Sequence, residues 1–565
     1  MARSGGARPH GDPLMASDRA TILAHLTARQ FDVLVIGGGI VGAGIARDAA
    51  MRGLHVALVE QGDFASGTSS KTSKLIHGGL RYLEHGHLRL VMESLRERHY
   101  LRTIAPAYVH PLSILLPVYH GDTHAPWMIG LGLNVYDALA LGRGIRRHRM
   151  LSVRRALALE PGLRVDGLRA AGVYSDCQMD DARVCLLNVL QAAGFGAVAA
   201  NYVRVQALLK SDDGRVMGAA AEDVLSGRFL EIQARITVNA TGPWGDQLRR
   251  LSDSRATPRL SPTKGIHLVV PRLSQEALFV QAHRDRRMFF VLPWGEYSIV
   301  GTTESGLEQP LDALRAEPDE VGYLLEETNR VLPGTHLGED AVVATFAGAR
   351  PLLEFEGAST RASREYRIEF DAHGVLHVLG GKFTTYRAMA QQAVDGIVQR
   401  LRVRAERCLT HDVTLMETVT PIVLEHWREV TRQVDPDLLA RLLTRYGAGT
   451  FRILQLLLQQ PALGRAVCPH HELIEAELLY ACYYEQACTI TDVLARRTRI
   501  AWSSCQGLDL LSRLVDLMHQ QVGVPRPVLA QQVEAYHRFL ADGLAFRQGS
   551  APSAVAAASH DDDDS

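Results

Sequence analysis

The apolar and polar positions fall into two regimes along the chain. Up to about residue 400, short apolar runs alternate with glycine-bearing turns and stretches of helical period; beyond it only helical spacing persists. Residues 31–36, FDVLVI, form an apolar β-branched run of the kind a parallel strand buried on both faces requires. Residues 40–52 have helical period, and residues 55–59 read as a second strand. Further on, the pattern predicts an amphipathic helix over 88–104, a strand over 109–119 and an apolar segment over 127–141. It then predicts a helix over 182–193, one strand over 197–209 and another from 236. A strand over 263–270 follows, then strands over 288–294 and 297–303 joined through Gly295, and a strand over 375–379 leading into a helix that ends near 400. The remainder predicts helices over 438–446, 451–458, 474–487, 490–496, 507–522 and 531–548. The class is therefore α/β: a dinucleotide-type domain interleaved with a β-rich region, then an α-helical C-terminal domain.

The turn between the first two strands carries chemistry. Gly37, Gly39 and Gly42 fall in G-x-G-x-x-G spacing. Gly37 permits the tight turn, Gly39 lets a pyrophosphate approach the backbone, and Gly42 lets the helix lie close on the strand. Ile40 opens that helix, whose free N–H groups and positive dipole end suit a phosphate. Glu60 ends the second strand about twenty residues past the glycines, placed to accept from ribose hydroxyls. Its charge disfavours a 2′-phosphate, so NADP is not expected. These features predict an ADP-containing dinucleotide, and both NAD and FAD satisfy them.

Two further segments bear on that choice. Residues 62–82 are dense in hydroxyls, glycines and cations, among them Thr68, Ser69, Ser70, Ser73, His77 and Gly78. Hydroxyls and free N–H groups are what a pyrophosphate or a flavin ring needs nearby. A solvated Ser-rich loop accounts for residues 66–73 but not for Leu75-Ile76 running into Gly78-Gly79. Residues 380–387, GGKFTTYR, form a second strand-to-helix turn, with Gly380, Gly381, Lys382, Thr384 and Thr385 at a helix start. Its N–H groups suit negative charge on a reduced isoalloxazine. An NAD enzyme has no use for this second device, which tilts the cofactor to FAD. Ala240, Thr241 and Gly242 leave room for a dinucleotide along the backbone, and Val203 is a candidate against the adenine, although a strand valine is more often core.

Composition narrows the partners. The 565 residues carry 61 Lys+Arg and 62 Asp+Glu, so no global charge draws the chain to nucleic acid. No apolar run reaches bilayer-spanning length. The first residues lack the apolar core of a secretory signal, and the 7 Cys are scattered without a C-x-x-C pair, which predicts reduced thiols in the cytoplasm. Cys468, His470 and His471 cluster, but no second pair follows at a ligand spacing, so no metal is expected. Trp127 and the apolar segment behind it precede Arg143, Arg146, Arg147, Arg149, Arg154 and Arg155. That pairing suits an anionic membrane surface, and a packed helix followed by a solvated turn explains it equally well. His267 stands inside an apolar strand, where a histidine is usually a satisfied core residue.

Several segments together resemble the FAD-dependent, quinone-linked glycerol-3-phosphate dehydrogenases. They are VIGGGIVGAGIARDAAMRGL at Val35, SKLIHGGLRYLE at Ser73, YSDCQMDDAR at Tyr174, VNATGPW at Val238, KGIHLVVP at Lys264, VLPWGEYSIVGTTE at Val291, GARPLL at Gly348 and GGKFTTYR at Gly380. YYEQACTITDVLARRTR at Tyr483 is similar to the hallmark of that family's helical domain. The resemblance covers about residues 31–539. It implies a glutathione-reductase-like FAD domain over 31–400 with a substrate part at roughly 80–170 and 260–350, and a helical domain over 401–548. Composition and pattern, not the resemblance, assign residues 1–30 to a disordered stretch up to about residue 15 and a lead-in helix over 18–29 with Ser17 as its candidate cap, and residues 549–565 to a disordered tail. It implies oxidation of glycerol 3-phosphate to dihydroxyacetone phosphate by hydride transfer to non-covalent FAD, with electrons passed to a quinone. A glycerol-3-phosphate oxidase using O2 and a related FAD amine or amino-acid oxidase are the competing readings. Carried onto this chain, Arg81, Tyr82, His267, Arg350, Arg364, Lys382 and Thr384 line the substrate pocket. Arg350 and Arg364 are expected to hold the phosphate, Arg81 and Tyr82 to close the site, His267 to act as base, and Lys382 to stabilise the developing alkoxide or the flavin. The cofactor contacts expected are Gly37, Gly39, Ile40, Gly42, Glu60, Thr68, Ser69, Ser70, Ser73, Leu75, His77, Gly78, Val203, Ala240, Thr241, Gly242, Gly380, Gly381, Lys382, Thr384 and Thr385. Lys71, Thr72 and Ile266 stand where relatives more often carry small or hydroxyl residues. The expected setting is cytoplasmic, with peripheral attachment to the inner face of the cell membrane; a homodimer is the assembly considered.

Overall fold

The computed structural model describes residues 19–354, 365–417 and 419–549. The strand Phe31–Ile36 sits at the centre of an eight-stranded sheet, parallel to Val56–Val59 on one side and to Arg228–Asn239 on the other. Val198–Ala200 extends the parallel order at one edge and Leu376–Gly380 at the other, where Tyr366–Phe370 closes it antiparallel. The near-continuous apolar runs follow from burial on both faces. The helix Ile40–Met51 lies on one face, with Asp181–Gly194 and Tyr386–Leu401 beside it. The lead-in helix spans Arg19–Thr27; Ser17, expected as its cap, lies outside the described residues.

The strand expected over 197–209 is two strands. Val198–Ala200 stays in the parallel sheet, and Val203–Lys210 leaves it to pair with Val216–Asp223. The break falls at two polar residues held from elsewhere. The buried Asn201 donates to Asp63 at 3.0 Å and to the carbonyl of Gln486 at 2.8 Å, and Tyr202, at a φ of 55°, donates its hydroxyl to Asp492 at 2.7 Å. Those bonds outcompete continued strand pairing.

A second, nine-stranded sheet carries the β-rich region. Its order runs Ala344–Arg350, Thr263–Pro271, Tyr297–Gly301, Met288–Trp294, Ala277–Gln281, Val109–Tyr119, Leu168–Met179, Leu75–Ile76, with Arg149–Leu151 beside Leu168–Met179. Thr263–Pro271 alternates strictly: Ile266, Leu268 and Val270 enter one apolar core, while Val269 enters the other together with Phe346. His267 therefore faces the side opposite Ile266.

The C-terminal part has its own core, built on Pro436–Tyr446, Thr450–Gln459, Glu475–Tyr484 and Arg526–Gly543. It is not purely helical. Ala466–Cys468 and His471–Ile474 form a small antiparallel hairpin, because Pro469 blocks helix continuation between them. A buried ion cluster ties this part to the first sheet. Asp63 accepts from Arg496 at 2.5 Å and from Arg497 at 2.7 and 2.8 Å, and Arg183 pairs with Glu485 at 2.5 Å. The RRTR stretch thus acts as a clamp.

Candidate active site

A groove of about 780 Å³ runs over the carboxyl ends of the parallel strands. Gly37, at a φ of 111°, makes the turn that no other residue type adopts without strain. A Cβ on Gly42 would stand 1.9 Å from the Gly37 carbonyl oxygen, so the helix approaches the strand only because Gly42 lacks one. A Cβ on Gly39 would meet nothing but the Ser69 hydroxyl, at 3.1 Å, which leaves the cradle that a pyrophosphate fills. The N–H of Ile40 donates to Ser69 Oγ at 2.9 Å, so the first helical donor points into this space. Glu60 is pinned by backbone: its carboxylate oxygens accept from Gly38 at 2.6 Å and Gly62 at 2.9 Å. Each oxygen keeps a lone pair for a ribose hydroxyl, and burial raises the carboxyl above its ordinary value.

The groove gathers Gly37, Gly39, Ile40, Glu60, Thr68, Ser69, Val203, Ala240, Thr241, Gly242, Gly380, Gly381 and Lys382. Other expected cofactor residues lie off its walls. Gly42 sits beneath it, Leu75 is buried in an apolar core, and the Ser70 carbonyl accepts from Lys74 Nζ at 2.5 Å. The N–H of Gly78 donates to Tyr136 at 2.8 Å, and the Thr385 hydroxyl turns back to the Lys382 carbonyl at 3.4 Å.

Residues 73–82 join the groove to the proposed substrate residues. Ser73 Oγ lies 2.8 Å from His267 Nε2, the N–H of His77 donates to the Thr384 hydroxyl at 3.4 Å, and Lys382 Nζ stands 3.5 Å over the ring of Tyr82. His267 is 3% exposed and stacks on Phe346 with centroids 4.9 Å apart. Among the described residues its Nδ1 has no hydrogen-bond partner. Burial, then the charges of Arg350 and Lys74, hold the imidazole well below its ordinary 6.5, so it stays neutral and able to take a proton. Arg350 crosses Gly265 and donates to the Thr302 hydroxyl and the Thr303 carbonyl, each at 2.8 Å. Arg364 and the side chain of Arg81 lie outside the described residues. Ile266 turns into the apolar core, away from the imidazole.

Sequence reasoning missed Phe346 and Thr302, which stack on His267 and bracket Arg350, and gave no role to Lys71, noted only as a departure from relatives, which lines the groove. Phe346 stands just before the GARPLL stretch and, as an aromatic in a buried strand, offered no signal beyond core packing.

Comparisons with known proteins give the family and the cofactor. The family described as FAD dependent oxidoreductase matches residues 32–395, and the one described as the C-terminal domain of alpha-glycerophosphate oxidase matches residues 408–526. A glycerol-3-phosphate dehydrogenase from Synechocystis is 36% identical over 533 residues, covering 90% of this chain and 96% of its own. The human mitochondrial glycerol-3-phosphate dehydrogenase is 35% identical over 551 residues, covering 93% and 75%. The crystal structure of the glycerol-3-phosphate dehydrogenase from Bacillus halodurans, complexed with FAD, superposes with a TM-score of 0.77 at 29% identity, covering 94% of this chain and 98% of that one. The groove fits FAD, and FAD is the cofactor. The chain belongs to the FAD-dependent glycerol-3-phosphate dehydrogenase family.

Proposed function

We propose that the chain oxidises sn-glycerol 3-phosphate to dihydroxyacetone phosphate and delivers the electrons to a membrane quinone. The observation that carries the chemistry is the buried, neutral imidazole of His267, fixed between Ser73 and Phe346 on a strand that pairs with the one ending in Arg350. Bound FAD supplies the two-electron acceptor for the alcohol carbon. His267 takes the hydroxyl proton. Lys382 stabilises negative charge developing on that oxygen, and Arg350 holds the phosphate by charge-assisted bonds. Tyr82 supports Lys382 through its ring face. The parts of Arg81 and Arg364 in this scheme rest on the resemblance alone.

The acceptor reading draws on the surface. The helix Pro126–Leu139 leaves Trp127 70% exposed and Leu131 58% exposed, and Arg146, Arg147, Arg149, Arg154 and Arg155 are exposed just after it. An apolar groove of about 480 Å³ opens beside this helix, between Leu83, Leu116 and Phe279. Among the described residues no helix is long and apolar enough to cross a membrane, which suits attachment through this face. The test is an anaerobic visible spectrum before and after glycerol 3-phosphate. Bleaching of the bound yellow flavin is expected; a flavin that ignores this substrate and bleaches with an amine or amino acid would overturn the assignment. Reoxidation by a quinone analogue but only slowly by O2, and co-sedimentation with anionic liposomes, are the expected second results.

A further inference from the structure

The hairpin that interrupts the C-terminal helices brings Cys468 and His471 against Cys505, which lies 34 residues past His471 on the loop after the short turn Ile500–Trp502. One ligand atom from each residue lies within 4.8 Å of the others. Cys505 Sγ is 3.4 Å from His471 Nε2, and Ser503 Oγ is 3.0 Å from the same nitrogen. Cys468 is buried, while His471 and Cys505 are partly covered.

We propose that Cys468, His471 and Cys505 form a zinc site. Two thiolates and one imidazole are the donor set that a borderline-soft d10 cation prefers, and a carboxylate-seeking ion would find no carboxylate among the three. Binding releases the two thiol protons and leaves the two thiolates and one Zn2+ with no net charge, which a partly buried position tolerates. A fourth ligand comes from solvent or from a neighbouring side chain. The competing reading is a thiol–imidazole–hydroxyl hydrogen-bond cluster with no metal. Against it stands the convergence of three ligating side chains from two separate segments.

The site has a route to the chemistry. Zinc would clip the hairpin to the loop that carries Trp502, and the Trp502 indole packs edge-on against Phe346 at 5.6 Å. Phe346 is the ring stacked on His267. The metal is therefore a positioning device, with no contact to substrate.

The experiment measures zinc in the purified flavoprotein, prepared without metal-affinity resin and passed through chelator-treated buffer. About one zinc per chain is expected. Cys468→Ser and Cys505→Ser should each lose it, and Cys482→Ala, a thiol elsewhere in the same region, should keep it. Because a serine variant could misfold, metal-free wild-type protein is also titrated with Co2+, and a thiolate-to-cobalt charge-transfer band with tetrahedral d–d bands is expected while the flavin spectrum stays intact. Absence of both zinc and the cobalt band in folded protein overturns the proposal. A mass two hydrogens lower, with Cys468 and Cys505 linked, also overturns it, in favour of a disulfide.

Discussion

In the groove, negative charge is met by backbone: the helix that begins at Ile40, the open cradle at Gly39 and the small residues 240–242. In the proposed substrate site beyond residues 73–82 it would be met by side chains, with Lys382 over Tyr82 and Arg350 bracketed by Thr302 and Thr303, beside an imidazole that burial keeps from protonating. The first device needs a few residues close in sequence and tolerates almost no added atoms. The second draws on strands hundreds of residues apart and depends on which proton sits where. Substitutions in the two should therefore fail differently, one by losing the cofactor and the other by losing turnover with the cofactor kept.

The largest effect is expected at Gly42→Ala. Its new Cβ would fall 1.9 Å from a backbone oxygen that cannot move without reopening the turn. Destabilisation beyond about 4 kcal/mol, with no flavin in whatever soluble protein remains, is expected from expression yield and absorbance. A soluble variant with full FAD would break the claim that this close approach is required. At His267→Ala the flavin content should be normal and turnover should fall by about 10²- to 10⁴-fold. The pH profile sharpens the point. Because burial, with Arg350 and Lys74, depresses the imidazole, the acid limb of kcat/KM should lie below the ordinary 6.5. Folding follows the same sign: the unfolded chain takes up a proton below 6.5 that the folded chain refuses, so stability is lost as pH falls through that value. An acid limb at or above 6.5 would remove His267 as the base.

That contrast also explains what was legible in the sequence. The strand–turn–helix at residues 31–51 could be placed because Gly37, Gly39, Gly42 and the apolar run lie within one short window. Glu60 was legible by its distance from them. The side-chain pocket was reached only by resemblance, since no local pattern joins Ser73 to His267 or Tyr82 to Lys382. The single strand expected over 197–209 failed because long-range bonds to Asn201 and Tyr202 override local β-propensity. The hairpin before Glu475 was hidden in a region whose helical spacing dominates, and with it the meeting of Cys505 with Cys468 and His471.

The groove's backbone is itself held by charge. Asp63 lies three residues past Glu60, and although burial would raise its carboxyl, Arg497 and Arg496 bring it well below its ordinary value. Asp63→Asn leaves two buried guanidinium groups under-compensated, and removing one partner of such a set costs about 3–5 kcal/mol. Urea unfolding of the flavoprotein should show that loss, with weakened FAD retention because Gln61, Gly62 and Ser66 on either side of Asp63 line the groove. A loss under about 1 kcal/mol would mean that the clamp merely decorates the contact between the two regions.

The smallest expected effect lies where the two devices meet. Lys71 is a side-chain cation on the wall of the backbone-built groove, and its Cβ and carbonyl sit against Gly348. Burial, with Arg496 pushing the same way and Asp312 opposing, lowers its ammonium to about 8. In the cofactor-free chain it is therefore charged at pH 7 and neutral at pH 9. A diphosphate favours the charged form, so FAD affinity should decline as pH rises above about 8, and binding there should take up protons. The cofactor-free fold should show the reverse trend. Between about 8 and the ordinary 10.5 the unfolded chain holds a proton that the folded chain has released, so stability rises with pH. Lys71→Met should weaken FAD by of order 1 kcal/mol at pH 7, roughly fivefold, and should flatten both trends. Equal pH dependence in wild type and variant, measured by flavin fluorescence on reconstitution, would show that the groove meets its diphosphate with backbone alone.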